Sequence, residues 1–224
     1  MASKARQSFD SNLKDIESLV DFYKVAELLA KEAKTKMGDG EDVVLRSAIV
    51  LLVTFWEAYV EDIVEEALEH IVEHAPGPDK LPKGLKQEIS KELKADKNEI
   101  ALWQLAGSGW KAVVQDRLPA MKEARNRSFN TPKSLQTKEF FEKALGISDI
   151  TKAWTINDKS SVDVCKTLDK LIEIRGQIAH RGKLSKNISI TVVENTKEFI
   201  SKIVAKTGGR LQTELKSITG KPLW

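Results

Sequence analysis

The 224-residue chain has one cysteine, Cys165. No disulfide framework can form within it, which suits a reducing compartment and sets the expectation of a cytoplasmic protein. It lacks long hydrophobic runs. The longest, residues 48–56, is bracketed by Arg46 and Glu57 and falls short of the ~18 apolar residues a spanning helix needs. Residues 1–10 contain no apolar run like that of a secretory signal, so no membrane association is expected. There is no Gly-x4-Gly-Lys phosphate loop and no Gly-x-Gly-x-x-Gly fingerprint, which leaves nucleotide hydrolysis and hydride transfer without support. The three histidines are His70, His74 and His180. His70 and His74 are spaced to share a metal on one helix face, but no third ligand is evident. Glu73 is not placed directly after His70, as a metalloprotease helix requires. A solvated helix end near Pro76 is the expected reading, and neither metal nor cofactor is expected. The net charge of +3 is too small to imply nucleic-acid binding by itself.

What the chain does have is helical periodicity. Hydrophobic residues at 41% and charged ones at 31% make a folding composition. Phe9, Leu13, Ile16, Val20 and Tyr23 recur at threes and fours, predicting a helix over residues 8–36. Gly38 and Gly40 punctuate it. A second helix is predicted from Asp42, as N-cap, to His74. Its middle, residues 48–53, is apolar on every side and belongs at the centre of a bundle. Pro76, Gly77, Pro78 and Pro82 break it. Short helices are predicted over residues 83–95, with an ion-paired solvated face, and over 111–123. Residues 75–130 have too few apolar side chains for a core of their own and read as an insertion on one domain spanning 1–224. Trp103, Trp110 and Trp154 are read as core or interface anchors ahead of base-stacking residues. Residues 125–132 and 155–161 read as loops. Thr131 and Pro132 are placed as N-cap and first helical residue of a helix that Gly146 stops, and Ser161 as cap of a helix over 162–180. Residues 188–193 are β-branched and suit a brief strand before a further helix, which Gly208 and Gly209 stop.

Chemistry concentrates in residues 171–182. Arg175 interrupts a largely apolar face, and arginine is rarely buried without a partner or ligand. His180 follows five residues later. At 3.6 residues per turn the two lie about 140° apart around one helix, so they do not converge within a chain. They flank a narrow strip of Ile172, Gly176 and Ala179, two of them small enough to let another helix approach. If that helix is a two-fold copy, His180 of one chain faces Arg175 of the other. The spacing alone equally fits a surface arginine and a histidine favoured by the helix dipole.

The Arg-x4-His pattern at the end of a late helix resembles the HEPN superfamily, whose ribonucleases carry such a motif. Phe55, Trp56, Glu57, Ala58 and Tyr59 in a buried early helix, the segment 125–132, and Arg181 and Gly182 after His180 resemble its RiboL-PSP branch. Gly176 stands where the family often carries Asn, Asp or His. The resemblance implies an all-α, antiparallel HEPN-type bundle with additional short helices. It also implies a homodimer with a composite site at the two-fold interface, and metal-independent RNA cleavage through the ribose 2′-OH to 2′,3′-cyclic phosphate ends. Arg175 and His180 would then be catalytic, and Arg125, Asn126, Arg127, Asn130 and Arg181 RNA-binding candidates. Glu173 and Glu57 would support them. A toxin or antiphage-defence effector with a cognate antitoxin or defence-system partner is the implied setting. A non-catalytic HEPN dimerisation module that binds RNA or a partner protein is the alternative.

Overall fold

The computed structural model describes residues 2–35, 40–182 and 188–224. Gly38 and Lys36 lie outside them. Seven α-helices occur among these residues: α1 (Lys4–Glu32), α2 (Gly40–His74), α3 (Lys83–Ala95), α4 (Gly109–Ser128), α5 (Ser134–Leu145), α6 (Ser161–Arg181) and α7 (Ile190–Thr219). Short 3-10 turns occupy Pro78–Lys80, Ala101–Leu105 and Ile150–Ala153. No named strand occurs among the described residues, which makes the fold all-α.

α2 is the central helix. It is already helical at Gly40, ahead of Asp42, the N-cap expected. Leu52, Val53, Trp56, Val60, Ile63 and Val64 are at most 1% exposed. By length and composition Val43–His74 is apolar enough to cross a membrane, a property that the count of consecutive apolar residues missed. Half of its most apolar window is buried inside the bundle. α1 runs antiparallel beside it. Ala5 and Phe9 share a buried cluster with Val60 and Ile63, whereas Val20 and Tyr23 share one with Leu45 and Ile49. The start of α1 is capped by Ser3, whose side chain accepts from the Arg6 N–H. It is capped again from α2, where the Glu66 carboxylate accepts from the N–H groups of Lys4 and Ala5, both at 3.1 Å. These contacts use donors that a helix start otherwise leaves unsatisfied. The helix therefore begins at Lys4, ahead of the predicted residue 8.

α5 is capped the same way from a distance. Asp169 of α6 accepts from the Ser134 N–H at 2.7 Å and from its hydroxyl at 2.9 Å. Thr131 and Pro132 precede the helix and do not cap it; the N-cap position is Lys133. The Pro132 carbonyl accepts from Trp56 Nε1 at 3.1 Å. Gly146, at φ 73°, does end α5 in the left-handed conformation that glycine adopts without steric cost. The α6 cap is Ser160, one residue before the position expected.

Three further expectations give way. Residues 125–128 are the last turn of α4 and not a loop. Ile190 and the residues after it form α7 with Ser189 as N-cap, not a strand; Ile188 and Val193 instead bury β-branched side chains against α1 and α2. Gly208 and Gly209 do not stop α7, which continues to Thr219. Gly208 is a place of close approach: a Cβ there would lie 3.3 Å from the Tyr59 hydroxyl and 3.6 Å from the Trp224 ring. Residues of α3 and α4, among them Leu85, Ile89, Trp110 and Val114, are buried in the same cluster as α2. Trp154 is fully buried as expected of an anchor, but Trp103 is 77% exposed and anchors nothing in this chain.

Candidate functional site on α2 and α6

α6 forms because Val164, Leu168 and Ile172 repeat at four-residue spacing and bury against α2. The helix is unbroken from Ser161 to Arg181, and Gly182 closes it at φ 68°, donating its N–H to the Ile178 carbonyl at 2.9 Å. Arg175 and His180 therefore stand on one regular helix, about 140° apart and separated by a rise of about 7.5 Å. They do not meet in one chain.

Arg175 points toward α2. Its Nη2 lies 3.5 Å from Glu57 Oε2, with side-chain exposures of 31% and 18%. Burial raises the Glu57 carboxyl above its ordinary value of 4.5, and the Arg175 charge partly offsets that. One turn on, Glu61 is pushed up to about 7 by burial first, then by Glu57 and Asp62, with Lys122 opposing. The outward side of α2 thus carries half-buried carboxyls facing the guanidinium. Holding a guanidinium against a carboxylate fixes its planar fork while leaving N–H donors for a second anion.

His180 and Arg181 are exposed. Ile172 is 4% exposed and belongs to the chain's own core, so the open strip reduces to Gly176 and Ala179. A Cβ built on Gly176 meets nothing within 4 Å. This face is open space.

The other candidates scatter. Glu173 is paired with Lys133 at 2.8 Å, and that hydrogen bond lowers its carboxyl pKa. It orients the start of α5, not Arg175 or His180. Arg125 is 8% exposed, and burial lowers its guanidinium pKa against the raising fields of Glu88 and Glu65. It faces inward on α4, which takes it away from any strand of RNA on the surface. Asn126 is half-buried, while Arg127 is exposed and paired with Glu123 on its own helix. Asn130 is exposed, in a segment tied to α6 through the Lys133–Glu173 and Ser134–Asp169 contacts.

Two residues missed from the sequence shape this region. Arg46 of α2, only 7% exposed, donates through Nη1 to the Gly182 carbonyl and so ties the α6 terminus to α2. Asp169 links α6 to α5. Arg46 had a signal, a lone cation beside an apolar run. Asp169 had none, because its partner lies 35 residues earlier. His70 is 8% exposed, with Nε2 at 3.2 Å from both Thr219 Oγ1 and the Lys221 carbonyl, a buried polar contact and not the solvated end expected. Desolvation lowers its pKa.

No curated protein and no solved structure matches the chain. A family model described as RiboL-PSP-HEPN matches residues 9–211, a span running from the first turns of α1 into α7 and containing the whole α2–α6 face. On that match, covering most of its length, the chain belongs to the RiboL-PSP-HEPN family of the HEPN superfamily.

Proposed function

We propose that the protein is a metal-independent endoribonuclease acting as a homodimer. HEPN domains are often ribonucleases. The observation that carries the reading is the pairing of Arg175 with Glu57 beside an uncovered strip that ends at the exposed His180. A second copy placed on that strip brings His180 of one protomer toward Arg175 of its partner.

The chemistry follows from the substrate. The ribose 2′-OH attacks the adjacent phosphorus, and the 5′-oxygen of the next nucleotide leaves. The products are a 2′,3′-cyclic phosphate and a 5′-hydroxyl. His180 transfers protons, as an imidazole does near neutral pH. Arg175 braces the non-bridging oxygens as charge builds on them. Glu57 keeps the fork in register. Exposed Arg181 and Arg127, with Asn130, are the surface groups offered to RNA; Arg125 is not. A toxin or defence role in the cytoplasm, with a cognate antitoxin or defence-system partner, belongs to this reading.

A non-catalytic HEPN module is the second reading, favoured by the failure of Arg175 and His180 to converge within one chain. The test uses the purified dimer and its His180→Ala variant, each incubated in EDTA with an RNA pool and matched DNA. Removing a general acid–base group costs about 10²–10⁴-fold in rate. His180 is exposed, so the variant keeps its fold. The expected result is RNA cleavage with cyclic phosphate ends, lost in the variant, and intact DNA, which lacks the 2′-OH. Intact RNA with a demonstrably dimeric wild type would leave the module reading standing.

A further inference from the structure

Beside His180 the surface is not flat. A cleft of about 450 Å³ opens between the first half of α2 and the last turn of α6. That is a volume within the range of small-ligand sites, roughly 300–1,000 Å³. Val43, Val50 and Leu51 form one wall and Ile178 the other, with Gly182 at the end and Ser47 at the rim. Ile178 and Gly182 bracket His180 by two residues on either side. The cleft and the histidine therefore belong to the same helical turn and its cap.

Three features suit the cleft to one kind of occupant. Its walls are aliphatic and face each other from two helices, a slot for a flat, apolar-faced ring. Its lining includes the nine-tenths buried guanidinium of Arg46, a fixed positive charge beside an otherwise apolar surface. That cation is held in place by the Gly182 carbonyl, so the slot has a rigid end. Arg181 adds a second, exposed cation one residue from the slot. Apolar walls with cations at one end fit a nucleobase whose sugar carries phosphate. They fit a purely apolar peptide side chain less well, since it brings hydrocarbon and no negative charge to the cationic end.

We infer that this cleft receives the base of the nucleotide adjoining the phosphate cut at His180, and that Val50, Leu51 and Ile178 set which base the protein prefers. The inference rests on the ribonuclease reading for its catalytic half, but the cleft as a nucleotide site stands apart from cleavage.

The experiment fills the slot from its rim. Ser47 is exposed, and its hydroxyl donates to the Val43 carbonyl of its own helix, so Ser47→Trp can occupy the cleft without disturbing the core. Val50→Ala enlarges it. Product ends are mapped on a randomised RNA pool for the wild type and both variants. Nucleoside 3′-monophosphates are titrated into the uncleaving His180→Ala protein, with and without Ser47→Trp, following the Ile178 amide resonance. The expected result is a change of about tenfold in base preference at the cut junction, on the scale that differences in pocket contact produce. The Ile178 resonance should shift with nucleotide and stay still once the indole introduced by Ser47→Trp fills the slot. Unchanged base preference together with nucleotide binding that ignores Ser47→Trp overturns the inference and leaves the nuclease intact. A variant that alters only the monomer–dimer equilibrium also overturns it, because the slot is then filled by a second copy of the chain. If the wild type cuts no RNA, the ribonuclease reading falls alone, and the titration still decides the cleft.

Discussion

Trp56 and Glu57 are neighbours in the chain and face different surroundings on α2. Trp56 is fully buried, stacks edge-on against Trp154 at 5.7 Å and satisfies its indole N–H with the Pro132 carbonyl. Trp154 is sealed equally well, its Nε1 donating to Thr207 Oγ1 at 2.9 Å while Thr207 donates to the Ile203 carbonyl. On the Glu57 side the packing stops short. Carboxyls sit half-buried, Arg175 is 31% exposed, and Gly176 faces open space. One side of the helix is finished within the chain. The other keeps charge where burial disfavours it, and it has room for another molecule. Buried polar groups with full partners hold a fold in one arrangement; perturbed titrations beside a concave surface mark a candidate site.

The sharpest way to break the sealed side is Trp154→Ala. It removes a ring with no exposure and leaves Thr207 without its donor. A loss of roughly 3–5 kcal/mol is expected for truncating a buried Trp, read as a lower midpoint in a chemical denaturation curve. A loss under about 1 kcal/mol, the ordinary size of a point-mutation effect, would mean that this side is no better packed than the other.

The open side answers to pH. Glu61 holds its proton up to about 7 in the folded chain against an ordinary value of 4.5. Its contribution to stability is therefore fully present below about 4.5 and is lost as the pH rises through about 7. Glu61→Gln keeps the neutral form at every pH. After discounting for solvent around a half-exposed group, a gain of about 1 kcal/mol is expected at alkaline pH and almost none near pH 4.5. Unfolding curves at the two pH values read the difference. An equal effect at both would place Glu61 in ordinary solvent.

The two sides were unequally legible in the sequence. Helices whose apolar residues repeat on one face, α1 and α6 above all, follow from periodicity, and the closing turns at Gly146 and Gly182 follow from the left-handed freedom of glycine. The caps contributed by Glu66 and Asp169 come from partners 61 to 62 and 35 residues away, and no local pattern announces them. Glycine at 208 and 209 read as a helix stop because the reason for Gly208, the nearness of Tyr59, is a tertiary contact. Residues 125–128 read as a loop because Asn and Ser favour turns, whereas packing of Met121, Arg125 and Phe129 holds that end of α4 in place. Arg175 and His180 were legible as a spacing. That Glu57 is the partner of Arg175, and that Ile172 turns inward, required the packed structure.

The smallest expected effect separates the two sides most finely. Gly176 lies inside α6 with helical backbone, and a methyl group there meets no atom of its own chain within 4 Å. Glycine in a helix interior costs roughly 0.5–1 kcal/mol relative to alanine. Within a single chain, Gly176→Ala should therefore raise stability by about that amount. If the strip is instead where a second protomer rests, the same methyl group meets the partner's helix and weakens association while still stiffening the monomer. Sedimentation of the dimer and denaturation of the dilute monomer, on the same variant, read the two effects separately. A more stable monomer with a looser dimer makes Gly176 a contact between copies. A more stable monomer with an unchanged dimer moves the second copy off this strip, and with it the route by which His180 would reach Arg175 across the interface.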